Sequence, residues 1–225
     1  MPPGTSRHPS MKPVKTARRP TLTDRIGLWL SISRRIDGLW IGTTQRGDKA
    51  EAALRRVEAA LNLIKIYDRL RYDRLHCDIE RVWVVVLLGA LGSYNERLRA
   101  CQLDPRHVLA EDSTPEVIAA TIVHEATHAR LQRCGIGYEE ERRSRIEAVC
   151  FRREAAFAMK LPNGGPVREM AERQLGRCTT NDFWTDAAFY DRFPDSAADA
   201  LRYLGGPEWL VRLLVRRWRR RQRRH

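Results

Sequence analysis

The chain has 225 residues and a mass of 26.1 kDa, with 43% of residues apolar and 31% charged; that is enough for one sizeable core and excludes a wholly disordered chain. No apolar run reaches the roughly 18 residues of a membrane span, and charged residues interrupt the stretch that follows the basic N-terminus, which argues against a cleaved secretory signal. The net charge of +13 lies in two tails: residues 1–20 carry five basic residues and no acid, residues 212–225 carry eight arginines and no acid, and everything between is neutral overall.

Residues 1–20, with five prolines, read as a disordered basic tail. A domain is expected over 21–206. Its first stretch, 21–47, has scattered apolar positions and room for a short helix. Asp48 then opens a helical pattern in which Leu54, Val57, Leu61 and Ile64 recur at steps of three and four, continuing through Leu70 to about Leu75. Val82–Leu88 is rich in β-branched residues and predicts an interior strand buried on both faces, followed by Gly89 and Gly92. Leu98–Leu103 alternates weakly and predicts a neighbouring edge strand that stops before Asp104-Pro105.

The strongest helix signal follows. Ser113-Thr114-Pro115-Glu116 has the form of a capping box with Ser113 as the cap, and the helix is expected to run to Cys134 and stop at Gly135. After a short link at 135–137, a second helix begins with Glu139, Glu140 and Glu141 and ends before Pro162-Asn163-Gly164-Gly165-Pro166. One or two further helices fill 167–206. A final helix in 207–225 has a wide apolar arc over Trp209–Trp218 and gathers Arg212, Arg216, Arg219, Arg220 and Arg223 opposite it. Residues 212–225 can hold nucleic acid phosphates or an anionic membrane surface; the plainer reading docks Trp209 to Trp218 on the domain. The class predicted is α+β, mainly helical.

Five cysteines (Cys77, Cys101, Cys134, Cys150 and Cys178), odd in number and with no C-x-x-C pair, disfavour a disulfide framework or a cysteine-type zinc site and point to the cytoplasm. Cys150 reads as a small buried residue near the centre described next. His76 and His107 are isolated and read as ordinary side chains.

Within the capped helix stands His124-Glu125-Ala126-Thr127-His128. Residues four apart on a helix share a face, so two imidazoles can converge on one Zn2+ at about 2.0–2.1 Å. Glu125 projects about 100° away and can reach a water on that ion as general base. A catalytic zinc wants a third protein ligand. In a helical hairpin centred near Ile136, residue 126 lies level with about residue 146, which selects Glu147. Glu154 sits seven residues further on the same face, roughly 10 Å beyond along the axis; it is either a partner to a zinc histidine or a solvated helix glutamate.

His124-Glu125-Ala126-Thr127-His128 followed by Glu147 in Ile146-Glu147-Ala148-Val149 resembles the gluzincin branch of the zincin metallopeptidases, the thermolysin-like arrangement, over about residues 113–160. The resemblance implies a zincin-like domain, with a small sheet packed on the active-site helix and a following third-ligand helix. It also implies zinc on His124, His128 and Glu147, and hydrolysis of a peptide or protein substrate through a zinc-bound water activated by Glu125. An upstream edge strand would bind the extended substrate, a role open to Leu98–Leu103. The chain departs from the family in having Phe151 where an aspartate supports a zinc histidine, and in lacking the downstream oxyanion histidine, for which Tyr138 and Tyr190 are candidates. The alternative is a non-catalytic protein on a zincin scaffold whose arginine-rich tails bind nucleic acid or an anionic membrane surface.

Overall fold

The computed structural model describes residues 19–222; most of the N-terminal tail and the last three residues of the C-terminal tail lie outside them. Thr21 caps the first helix, α1 (Leu22–Leu30), in a reciprocal exchange with Asp24. A hairpin follows, β1 (Ile32–Ile36) and β2 (Leu39–Thr43). Its two turn residues, Asp37 and Gly38, both have positive φ, 48° and 87°, as the tight turn matched to strand twist requires. The expected helix in 21–47 is present, and the hairpin beside it went unpredicted although Asp-Gly is its signal.

The long helix expected from Asp48 to Leu75 is two: α2 (Gly47–Tyr67) and α3 (Arg69–Asp78). The chain leaves helical geometry at Asp68, whose buried carboxylate accepts from the Arg71 backbone at 3.3 Å and side chain at 2.9 Å, and pairs with Lys160 at 2.9 Å. Asp68 thus ends one helix and caps the next.

Three strands complete the sheet: β3 (Arg81–Val84), β4 (Gly92–Asn95) and β5 (Ala100–Leu103). The order is β1-β2-β3-β5-β4. β2, β3 and β5 run parallel, while β1 and β4 are antiparallel to their neighbours. The predicted interior strand is β3, but it ends at Val84 rather than Leu88. The Leu98–Leu103 segment is not the edge: β5 is bonded to β3 on one side and β4 on the other, and β4 forms the border. Gly92-Ser93-Tyr94-Asn95 carries one large apolar residue, too little for alternation to reveal it.

The sheet sorts its side chains by parity. Leu39, Ile41, Val82, Val84, Cys101 and Leu103 join the main core with α2. Trp83 and Ala100 point to the other face, where Leu28 of α1 and Trp40 cover them. Gly27 makes room there, since a β-carbon on it would lie 2.8 Å from the Trp83 ring.

Asp104 caps a single turn, α4 (Pro105–Val108), and leads to α5 (Pro115–Arg133). The cap of α5 is Thr114, whose hydroxyl accepts from Val117, and not Ser113. At the other end the backbone N–H groups of Gly135 and Ile136 return to Gln132 and Leu131, with Gly135 at φ +79°, the doubly bonded C-terminal stop that the glycine foretold. α6 (Glu140–Ala158) packs back along α5, and α7 (Gly165–Arg177) along α6. A 3-10 turn at Asn181–Trp184 precedes α8 (Asp186–Tyr203) and α9 (Glu208–Gln222). The architecture is α+β, mostly helical with a small mixed five-stranded sheet. Among the described residues no helix is long and apolar enough to cross a membrane.

Candidate metal centre

The centre forms where α5 and α6 face each other. α5 lies between the core and α6, so it buries residues around most of its girth, His124 and Glu125 among them. α6 contributes Glu147, Cys150 and Glu154, all buried. The hairpin geometry that selected Glu147 holds. Its Oε2 is 3.2 Å from Nε2 of His124, its Oε1 is 3.4 Å from Nε2 of His128, and the two Nε2 atoms are 3.2 Å apart. Four ligands at about 2.0–2.1 Å around a tetrahedral ion define edges of about 3.3–3.4 Å; the two imidazole nitrogens stand close to that spacing, and each oxygen of Glu147 stands close to it from one of them. Donor atoms of His124, His128 and Cys150 also lie within 4.8 Å of one another, a group able to hold a metal ion.

The partners behind these donors are specific. Glu154 is no solvated helix residue: its Oε2 is 3.2 Å from Nδ1 of His124, which turns Nε2 toward Glu147. Phe151 packs its ring edge-on to His124 at 4.7 Å between centroids. Tyr138 donates its hydroxyl to Oε1 of Glu147 and sets its ring edge-on to His128 at 5.3 Å. Tyr190, the other tyrosine considered, is more than half exposed on α8 and sets its ring edge-on to Phe189.

Glu125 points to the sheet side. Gly92 on β4 lies against it: a β-carbon there would come within 2.9 Å of Glu125 Oε1 and 2.8 Å of Thr121. The border strand and the carboxylate are therefore in contact because position 92 has no side chain. Among the described residues β4 pairs only with β5, so its outer edge carries no strand.

Burial opposes a charge on His124, but hydrogen bonds to Glu147 and Glu154 outweigh it and hold its pKa at about 10. Burial drives His128 down to about 4, against the pull of Glu147. Burial would raise Glu147, yet His124 and His128 bring it below its ordinary value. Burial lifts Glu125 to about 7, with His124 opposing and Glu147 and Glu154 adding. It also pushes the Cys150 thiol and the Tyr138 phenol well up.

All five cysteines are free. His107 reaches Thr121 Oγ1 at 3.1 Å. Open grooves of about 440 and 340 Å3 lie elsewhere, the first bordered by Trp40, His76 and Arg81 and the second by α8 and α9; neither includes the His124–Glu147 cluster. From sequence, Glu147 was identified by its level on the hairpin, and Glu154 was narrowed to two readings. The bond from Tyr138 to Glu147 and the place of Gly92 carried no local signal. No protein-family model, curated protein or solved structure matches the chain.

Proposed function

We propose that this chain is a zinc-dependent metallopeptidase with a zincin-like centre of the gluzincin type, its metal on His124, His128 and Glu147. The observation that carries the reading is the pair of Nε2 atoms 3.2 Å apart, with Glu147 Oε2 at 3.2 Å from that of His124 and Oε1 at 3.4 Å from that of His128, spacings close to the edge length of tetrahedral zinc with N and O ligands. When bound, zinc supplies Lewis acidity toward a water and the scissile carbonyl. Glu125 takes a proton from the attacking water and returns it to the leaving amine. Glu154 keeps His124 in the orientation that presents Nε2. The open edge of β4 receives an extended peptide by main-chain hydrogen bonds, which moves the substrate strand from Leu98–Leu103 to Gly92–Asn95 and beside Glu125. The five free cysteines suit a reducing cytoplasm.

Zinc content after dialysis and hydrolysis of a peptide library test this together. The wild type should retain about one zinc per chain, and Glu147→Ala clearly less. Glu125→Gln should keep the metal and lose about 10²–10⁴-fold in rate. Absence of zinc from the wild type even after reloading overturns the reading.

A second reading is favoured by α9. Its inner face docks, with Val211 buried and the Trp218 ring 4.8 Å from Phe193. Trp209 and Leu213 stay exposed, and Arg216 and Arg217 make no ion pair among the described residues. That outer face suits an anionic membrane surface or nucleic acid, on a scaffold that need not be catalytic. Absence of peptide hydrolysis in the wild type, beside vesicle or nucleic acid binding that Glu125→Gln leaves unchanged and that is lost on replacing those arginines, would favour it.

A further inference from the structure

We propose that Cys150 is a fourth protein ligand to the ion held by His124, His128 and Glu147, so that the resting centre is closed and opens only when this thiol departs. The inference rests on the metal-binding reading above and concerns the state of that same site. Cys150 is three residues beyond Glu147 on α6, fully buried, with its sulfur grouped with donor atoms of both histidines inside 4.8 Å. A tetrahedral ion with nitrogen at about 2.0–2.1 Å and sulfur at about 2.3 Å has N–S edges of about 3.6 Å. A sulfur at the 4.8 Å limit has to close by about 1.2 Å to reach that edge, within reach of a side-chain torsion.

Two further features favour the closed state. The Tyr138 hydroxyl engages Oε1 of Glu147, which leaves Oε2 to face the ion and keeps this carboxylate from filling two corners of the tetrahedron. His124, Glu125 and Glu147 are 8%, 6% and 4% exposed, and the open grooves lie away from them. Four protein ligands make a structural zinc site, whereas three and an open position make a catalytic one. On ligation the S–H bond breaks, the S–metal bond forms and the proton passes to solvent; nothing is oxidised or reduced. The reverse step frees the corner on which hydrolysis depends.

Cobalt(II) loaded into the full chain under reducing, oxygen-free conditions reports each part separately. The wild type should show the intense visible bands of tetrahedral cobalt together with a near-ultraviolet thiolate-to-cobalt charge-transfer band. Cys150→Ser, which keeps the volume of the side chain, should retain the visible bands and lose the near-ultraviolet one. Cobalt bound without a charge-transfer band in the wild type overturns the fourth ligand and leaves the three-ligand reading standing. A band that survives in the variant belongs to another thiol and overturns it as well. Failure of the wild type to take up cobalt or zinc removes the metal reading on which the inference rests.

Discussion

Helix α5 buries nine of its 19 residues, spread over most of its circumference, whereas in α9 Val211 alone is buried among the described side chains. Both helices carry many polar groups, under different constraints. On the inward side of α5 polar groups are buried or half-buried and find partners: His124 has Glu147 and Glu154, and Thr121 and Thr127 bond to the carbonyls of Val117 and Val123. In α9 the charges stand in water. Arg212 pairs with Glu208 and Arg219 with Asp195, both at the surface, where such pairs are worth about 0–1 kcal/mol. The same residue chemistry is thus tightly specified in one helix and permissive in the other.

Mutations can break that comparison. The largest effect should come from the packing behind the centre: Phe157, fully buried at the end of α6, should cost about 3–5 kcal/mol on replacement by alanine, read from denaturant unfolding. A loss below about 1 kcal/mol would mean that α6 is loosely held and that the α5–α6 distances are soft. An intermediate effect belongs to Asp68. Burial would raise its carboxyl, but Arg71 and Lys160 outweigh that and hold it below its ordinary 3.8. Its folded pKa is therefore the lower one, so its contribution is fully present above pH 3.8 and disappears as pH falls through the folded value. Asp68→Asn should cost about 1–3 kcal/mol near neutrality and flatten the fall of stability on the acid side; denaturant midpoints across that range check it, and an unchanged acid slope would contradict the assignment. The smallest effect should be at Trp209, 68% exposed: Trp209→Ala should change stability by less than about 0.5 kcal/mol. A larger loss would show that the outer face of α9 is covered in solution.

Much of the centre was legible because its parts are local. The His124–His128 spacing is a property of one helix, Gly135 marks the turn, and residue levels on a hairpin follow from the helical rise, which is why Glu147 was within reach. Glu154 was harder: on a straight hairpin it lies too far along the axis to ligate, and only the packed helices show that the outer nitrogen of His124 reaches it. The border strand was misassigned because strand order is not local. Leu98–Leu103 looks like an edge from its weak alternation, yet Cys101 and Leu103 point into the main core and need cover on both sides, while the less apolar Gly92–Asn95 takes the rim. The hairpin at 32–43 was missed although Asp37-Gly38 announces it, because the apolar residues around it do not alternate cleanly.

By itself the amino-acid order determined the positions of most helices, the convergence of His124 and His128, and the separation of a neutral domain from its basic tails, since each depends on spacings of a few residues or on charge alone. Tertiary structure decided which strand borders the sheet, that Gly92 brings that border against Glu125, that Tyr138 and Glu154 bond to Glu147 and His124, and that Cys150 comes close to both histidines. The longest of those relations join residues about 30 apart in the chain, and they are set by which apolar faces must be covered, a condition that only the assembled core can satisfy.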